Sequence, residues 1–367
     1  MTFFFISYYN ISSELHMAPD SQLFSLWADD LIKRNFNLYN YYAQNNYIVS
    51  NFFYTVPVFI IAVFKFFFGS GWQFAFFILN LVLVLFSIII FTKSLLILGV
   101  RSILVSLTMP LIAISVDLLT WPRFILTEMI FTFLVILVTY IVIKGIIRNK
   151  YNYLLLFFVT VLILISRPTS LPIIFAIVSF VTISGFQIFN KPKIILLIVF
   201  PLFIFTSFML ALVYYFIQFN FSDNTQLLFL SQMVKDGMII HDRPETWVAS
   251  PTKFFDVVHI YFLRLLNFFN PYAESFSIIH IILNSLQIFF ILISIVIWSF
   301  LNDNIKSVNK TIVFILIVSY SVATFHAFTL IDYDWRYRFP IILPLIMIFS
   351  MSMEITLKKI SRNWSLN

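Results

Sequence analysis

From Trp72 to the C-terminal region the chain is a near-continuous series of apolar runs, broken only by short stretches that carry most of its charge. About 20 apolar residues are needed to cross ~30 Å of hydrocarbon as a helix, and backbone polar groups at that depth must be satisfied internally. Runs at roughly 73–92, 102–117, 128–145, 153–168, 170–189, 194–217, 277–300, 311–330 and 339–357 fit that demand, the shorter ones with tilt or local thinning. Residues 1–9 read as the outer end of a further hydrophobic helix whose beginning is missing. The expectation is an all-α, polytopic transmembrane helix bundle of about ten spans. With 61% hydrophobic and 11% charged residues, the 367-residue chain lies far from soluble composition, where about a quarter of residues are charged. It reads as one membrane domain, 1–367, with outer-face loops at 10–72 and 218–276.

Several function classes drop out early. Cys 0 removes disulfides, thiolate metal sites and cysteine nucleophiles. No Gly-rich phosphate loop occurs, and the histidines form no H-x-x-x-H or H-E-x-x-H pattern, so no metal motif is predicted. The net charge of +7 is explained by membrane orientation, because no basic run interleaves with aromatics on a soluble face; nucleic acid is not an expected partner.

Orientation follows from lysine and arginine in short loops. If 53–68 is an interfacial or re-entrant helix, Lys93, Arg101, Lys144, Arg148, Lys150, Lys191, Lys193, Lys306 and Lys310 share one face, joined by Lys358, Lys359 and Arg362. That face is expected to be cytoplasmic. Residues 10–72, 118–127, 218–276 and 331–338 then lie outside. A polar loop, Pro19-Asp20-Ser21, leads into a helix-like run from Gln22 to Arg34 with Leu23, Phe24, Trp27 and Leu31 on one side. Such a helix suits a membrane interface.

Four charged groups gather on the predicted outer face: Asp20; the turn from Asp117 to Glu128 with Arg123; Arg167-Pro168; and Asp332 to Arg338. A charge at mid-bilayer costs ~2.5–3.5 kcal/mol on insertion scales, so such residues normally face a cavity or a partner. Each group also has a plainer account. Asp20 suits a helix cap, Glu128 a dipole-favoured position at a helix start, and Arg167 a snorkelling side chain before a proline break. Arg336 and Arg338 suit an aromatic belt with basic anchors. Asp29 and Asp30 stand four residues before Lys33 and Arg34, the spacing of exposed helix pairs. Asn10-Ile-Ser12 and Asn220-Phe-Ser222 match glycosylation sequons.

The order of these features is informative: Asp20, an interfacial helix, Tyr54-Thr-Val-Pro57 ending at Phe68-Gly69, Leu126-Thr-Glu128-Met-Ile-Phe, Ser166-Arg167-Pro168, and Arg336-Tyr-Arg338-Phe-Pro-Ile-Ile-Leu-Pro344. It resembles the GT-C superfamily of integral membrane glycosyltransferases, in particular the bacterial branch that includes protein mannosyltransferase-like and lipid A-modifying enzymes. The resemblance implies transfer of a sugar, with inversion, from a polyprenyl-phosphate donor to a glycan, lipid or protein acceptor on the extracytoplasmic side of a bacterial inner membrane. It implies catalytic roles for Asp20 and Glu128, and donor phosphate binding by Arg167, Arg336 and Arg338. A divalent cation is allowed by the resemblance and not required. Ser21 stands where a paired acidic motif would need a second carboxylate, and no soluble C-terminal domain follows. Two other functions fit the same composition. An envelope polysaccharide polymerase or ligase would depend on His241 and Arg243 in the long loop, and a multi-pass transporter would show polar residues at mid-membrane.

Overall fold

The structure, a computed structural model, describes residues 1–43, 52–185, 206, 253–272, 276–301, 306–329 and 335–364. Among these every regular element is helical, apart from one isolated bridge between His16 and Phe124. The α-helices are α1 (Thr2–Ile11), α2 (Pro19–Lys33), α3 (Leu38–Ala43), α4 (Thr55–Phe68), α5 (Trp72–Ile97), α6 (Ser102–Ala113), α7 (Val116–Thr120), α8 (Glu128–Arg148), α9 (Tyr153–Leu164), α10 (Ser170–Gly185), α11 (Phe254–Phe268), α12 (Ile278–Leu301), α13 (Lys306–Thr329) and α14 (Phe339–Trp364). The all-α class expected from the apolar runs is present.

Among the described residues five stretches are long and apolar enough to cross a membrane: Thr55–Ile97, Glu128–Arg148, Ile278–Leu301, Lys306–Ala327 and Phe339–Ser361. A sixth arises if α6 and α7, which meet at a 57° bend, count as one broken span. The ten expected spans are therefore not reproduced among the described residues. The predicted runs at 153–168 and 170–189 correspond to α9 and α10, of 12 and 16 residues, and the run at 194–217 lies outside the described residues apart from Thr206. Within the predicted loop 218–276, the described part contains the amphipathic helix α11.

The run from Thr55 to Ile97 is not one rod. Gly69 adopts φ +53, a conformation that L side chains rarely take, and Gly69–Gly71 forms a single 3-10 turn. The rings of Phe64 and Phe76 lie 6.4 Å apart, although 12 residues of straight helix would separate them by about 18 Å. The chain thus folds back at the glycines. Helix α2 packs along α4 and explains the lysine in that apolar helix: Lys65 Nζ donates to Asp29 Oδ1 at 2.7 Å and to Ser25 O at 3.0 Å, and stands over the Trp72 ring. The expected Asp30–Arg34 pair forms at 3.0 Å, but Asp29 pairs with Lys65 and not with Lys33. A partner on another helix competes better than an i,i+4 neighbour worth only ~0.2–0.5 kcal/mol.

Two compact units divide the chain: Met1–Ile174 with Phe289–Ile312 and Phe339–Asn367, and Phe175–Ile288 with Val313–Arg338. In the first, α8 is the central element, packed by α5, α9 and α14. Polar stitches hold apolar helices in register. Thr108 and Ser350 join hydroxyls between α6 and α14, and Ser352 Oγ donates to Ser294 O at 2.8 Å. The buried Glu354 carboxylate accepts from Arg101 N at 3.1 Å, capping the start of α6 from α14, and pairs with Lys358 at 3.3 Å. Hydrogen bonds between sites inside an apolar bundle fix register that dispersion alone leaves loose.

Helix α8 ends at Asn149 in the left-handed conformation, and Lys150 N donates to Gly145 O at 3.1 Å. The returning chain lays the Tyr151 ring over Gly145, where an added Cβ would stand 2.1–2.9 Å from ring atoms. Ala in place of Gly normally stabilises a helix interior by ~0.5–1 kcal/mol. Here overpacking, of order ~1–3 kcal/mol, outweighs that gain. Gly145→Ala is expected to lower the thermal midpoint in detergent, and adding Tyr151→Ala to restore it.

Candidate functional site

The N-terminal segment and the turn before α8 are tied together by backbone. His16 N donates to Arg123 O at 3.1 Å, and Ile125 N donates to His16 O at 3.3 Å, forming a parallel bridge with the His16 and Phe124 rings 5.0 Å apart. In a parallel pairing both chains leave the bridge in the same direction. Asp20 is four residues beyond His16, and Glu128 four beyond Phe124. The bridge ties together the two segments that lead to the carboxylates predicted to act in catalysis, each in the first turn of its helix.

Asp20 is not the cap of α2. Pro19 opens the helix, Ala18 holds the capping position, and Ser21 Oγ accepts from Ala18 N at 3.1 Å, half of a capping box, since alanine has no side-chain acceptor to complete it. Asp20 is the half-buried second helical residue, where the positive end of the helix dipole favours the carboxylate.

Asparagines hold the turn. Asn80 Nδ2, from the middle of α5, donates to Pro122 O at 2.9 Å and Phe124 O at 3.1 Å. Asn10 Nδ2 donates to Leu118 O at 3.2 Å and Ile6 O at 2.9 Å. Asn10 is wholly buried and so is no glycosylation acceptor, despite its sequon. Asn220 lies outside the described residues. Asn80 belongs to no motif, yet a lone amide amid Phe-Ile-Leu-Asn-Leu-Val-Leu is itself a signal, because a polar side chain inside an apolar span normally has a partner.

Glu128 and Arg167 meet. Arg167 Nη1 stands 3.0 Å from Glu128 Oε1, with side-chain exposures of 5% and 3%. Arg167 reaches this position because Pro168 cannot continue α9. The chain breaks over residues 165–169, Ser170 N donates to Arg167 O at 3.0 Å, and Val56 N donates to the Ile165 carbonyl at 3.0 Å, anchoring the break to the start of α4. Glu128 Oε2 makes no hydrogen bond with the protein, nor does Thr132 Oγ1 one turn further along α8. Asp117 is wholly buried at the α6–α7 bend. The arrangement can hold and orient a guanidinium and offers a buried carboxylate edge.

Arg336 and Arg338 belong to the second unit. Arg336 Nη2 donates to Tyr337 OH at 2.9 Å, with the guanidinium 4.9 Å from that ring's centroid. Arg338 is 2% exposed and donates from Nη1 to Asn270 O at 2.9 Å. The same unit contains further buried polar residues that belong to no sequence motif. His326 stacks on Phe268 at 5.6 Å and meets Tyr337 at 4.5 Å. Arg264, buried, shares a face of α11 with Tyr261, whose hydroxyl meets those of Tyr320 at 3.1 Å and Thr324 at 3.2 Å. Burial pushes the Tyr261 phenol well above its ordinary value, so it remains a hydroxyl. Asp332, Asp334, His241 and Arg243 lie outside the described residues. Among the described residues, no group of three or more His, Asp or Glu side chains stands close enough to hold a metal ion.

Among the described residues the chain is built of helices, with long apolar ones of membrane-spanning length and a buried ion pair at the junction of two breaks. The chain matches no family model, no curated protein and no solved structure.

Removing one member of a buried ion pair leaves an uncompensated charge, at a cost of about 3–5 kcal/mol, whereas replacing both by apolar groups of similar volume is often neutral. Arg167→Met alone is therefore expected to destabilise the protein strongly in detergent, and Glu128→Leu with Arg167→Met to recover most of the loss. A double-mutant cycle on thermal unfolding measures the coupling.

Proposed function

We propose that the chain is an integral membrane glycosyltransferase of the GT-C kind, moving a sugar from a polyprenyl-phosphate donor to a glycan, lipid or protein acceptor. The observation that carries this reading is the buried Glu128–Arg167 pair, next to a turn that the His16–Phe124 bridge ties to the segment leading to Asp20. Transfer requires a base near the acceptor hydroxyl and positive charge near the departing phosphate, both in a partly dry site.

In this scheme Asp20, half-buried and joined to the site by backbone, takes the proton as the acceptor oxygen attacks the anomeric carbon. The new C–O bond forms on one face as the bond to the phosphate oxygen breaks on the other, giving inversion. Polyprenyl phosphate departs with the bonding pair. Arg167, oriented by Glu128, compensates the charge that develops there; planar guanidinium groups match phosphate oxygens in pairs. Glu128 acts on the reaction through Arg167 and through its second carboxylate oxygen. The lysine and arginine distribution supports a site on the extracytoplasmic face, and the family resemblance supports a bacterial inner membrane, where the site would meet the lipid that carries the donor.

A transporter shares two features of this chain: the 57° break between α6 and α7, and buried amides within apolar helices, Asn80, Asn284 and Gln287. Uptake by proteoliposomes without any sugar transfer would favour that alternative.

A positioned general base contributes about 10²–10⁴-fold to rate. Asp20→Asn is expected to insert and fold as the wild type does while losing transfer from a polyprenyl-phosphate sugar by about that factor, followed by mass spectrometry of the glycosylated product. A folded Asp20→Asn protein with full transfer activity would remove Asp20 from the mechanism.

A further inference from the structure

Helix α12 is apolar and mostly exposed, yet one stripe of it is polar, half-buried at His280 and buried at the two amides beyond it. His280, Asn284 and Gln287 stand at i, i+4 and i+7, on one face. Asn284 is 1% exposed and Gln287 2% exposed. Neither Asn284 Nδ2 nor Oδ1 makes a hydrogen bond with the protein, and neither does Gln287 Nε2. Burying amide groups without partners is unfavourable, and burying a full primary amide inside an apolar helix is more so. At the open end of the stripe, His280 stacks on Phe276 at 3.9 Å, and the Arg338 guanidinium is close enough to act on it electrostatically. Arg338 is itself buried and anchored through Asn270. All of these residues fall within the second unit.

A buried cation at one end and unspent amides along the next two helical turns form a graded recognition surface. The cation selects an oxyanion. Each amide can both donate and accept, the pattern that pairs with a hydroxyl group, which also does both. From His280 to Gln287 the stripe rises about 10 Å along the helix, enough for one sugar ring with its phosphate.

We propose that Arg338 with Asn284 and Gln287 forms the seat of the polar head of a glycosyl phosphate, with Arg338 on the phosphate oxygens and the two amides on ring hydroxyls. The assignment of a sugar rests on the glycosyl-transfer reading; the binding of a hydroxylated anion does not. The aromatic face of Phe276, held by His280, supplies an apolar edge to the same seat. Neither amide is asked to take part in bond making. Both are specificity-determining contacts.

The test is binding without turnover, on full-length protein in nanodiscs, with three probes: an α-hexose 1-phosphate, inorganic phosphate and the free hexose. Thermal shift and saturation-transfer NMR read the complex. The hexose 1-phosphate is expected to bind at least tenfold more tightly than either fragment. Asn284→Leu and Gln287→Met, which remove unpartnered amides, are expected to leave the ligand-free midpoint equal to the wild type or higher, while weakening hexose 1-phosphate binding at least tenfold and phosphate binding little. Arg338→Gln is expected to weaken both phosphate-bearing probes. Wild-type protein that binds none of the probes overturns the proposal, and so do folded amide variants that bind like the wild type. If both variants unfold, the amides serve the fold, which again overturns it. Protein that binds with these specificities but transfers no sugar leaves the seat standing and removes only the enzymatic reading.

Discussion

Two opposite charges at 3–5% exposure hold the first unit's architecture together at one point. Glu128 begins the central helix α8, and Arg167 occupies the proline break between α9 and α10. Each is untenable there without the other, because an isolated charge moved out of water loses far more solvation than any single neutral contact returns. The pair therefore fixes where α8 must start and where α9 must stop. Helices that follow, including α14 against α8, are packed on elements whose ends that contact sets.

Around this pair the chain uses backbone carbonyls and amides in place of further charges. The turn from Asp117 to Glu128 has no regular structure beyond two short helical pieces, so its carbonyls need donors from elsewhere. Asn80 and Asn10 provide them, and His16 exchanges backbone hydrogen bonds with the same turn. An irregular segment at membrane depth is tolerated only when buried in protein in this way. Positional precision at Glu128 thus derives from neutral amides on α1 and α5, and the N-terminal segment carrying Asp20 is held by the same turn. A site assembled this way can be rigid without being highly charged.

Much of this was legible from residues alone, and the limits have physical causes. The apolar runs announced α5, α8, α12, α13 and α14, since hydrophobic length is a strong signal. They overstated the span at α9, because composition does not reveal that Pro168 and the Arg167 contact end a helix after 12 residues. The charge pattern brought Glu128 and Arg167 forward, and they prove to be partners, though periodicity cannot show a contact between residues 39 positions apart. Asp29 was assigned to Lys33 because local spacing is visible in a sequence and Lys65, on the neighbouring helix, is not. Gly69 and Gly71 marked no phosphate loop; their role lies in the backbone, where a positive φ turns α4 back onto α5.

The amides of the chain separate two kinds of buried polarity. Asn80 gives its N–H groups to two carbonyls of the turn, and Asn10 gives one to Leu118 O and one to Ile6 O of its own helix, so both account for themselves as structure. Asn284, equally buried, gives none and receives none. A helix could carry leucine at that position with better packing and no desolvation cost, so fold stability alone does not explain an amide there. The same reasoning applies to the second oxygen of Glu128, whose first oxygen is held by Arg167. Unspent hydrogen-bonding capacity occurs in both units, at Glu128 beside the Arg167 guanidinium and at Asn284, one helical turn from the His280 on which Arg338 acts. That coincidence is what polar ligands with an anionic group require: a fixed cation to draw them in, and neutral partners kept waiting beside it.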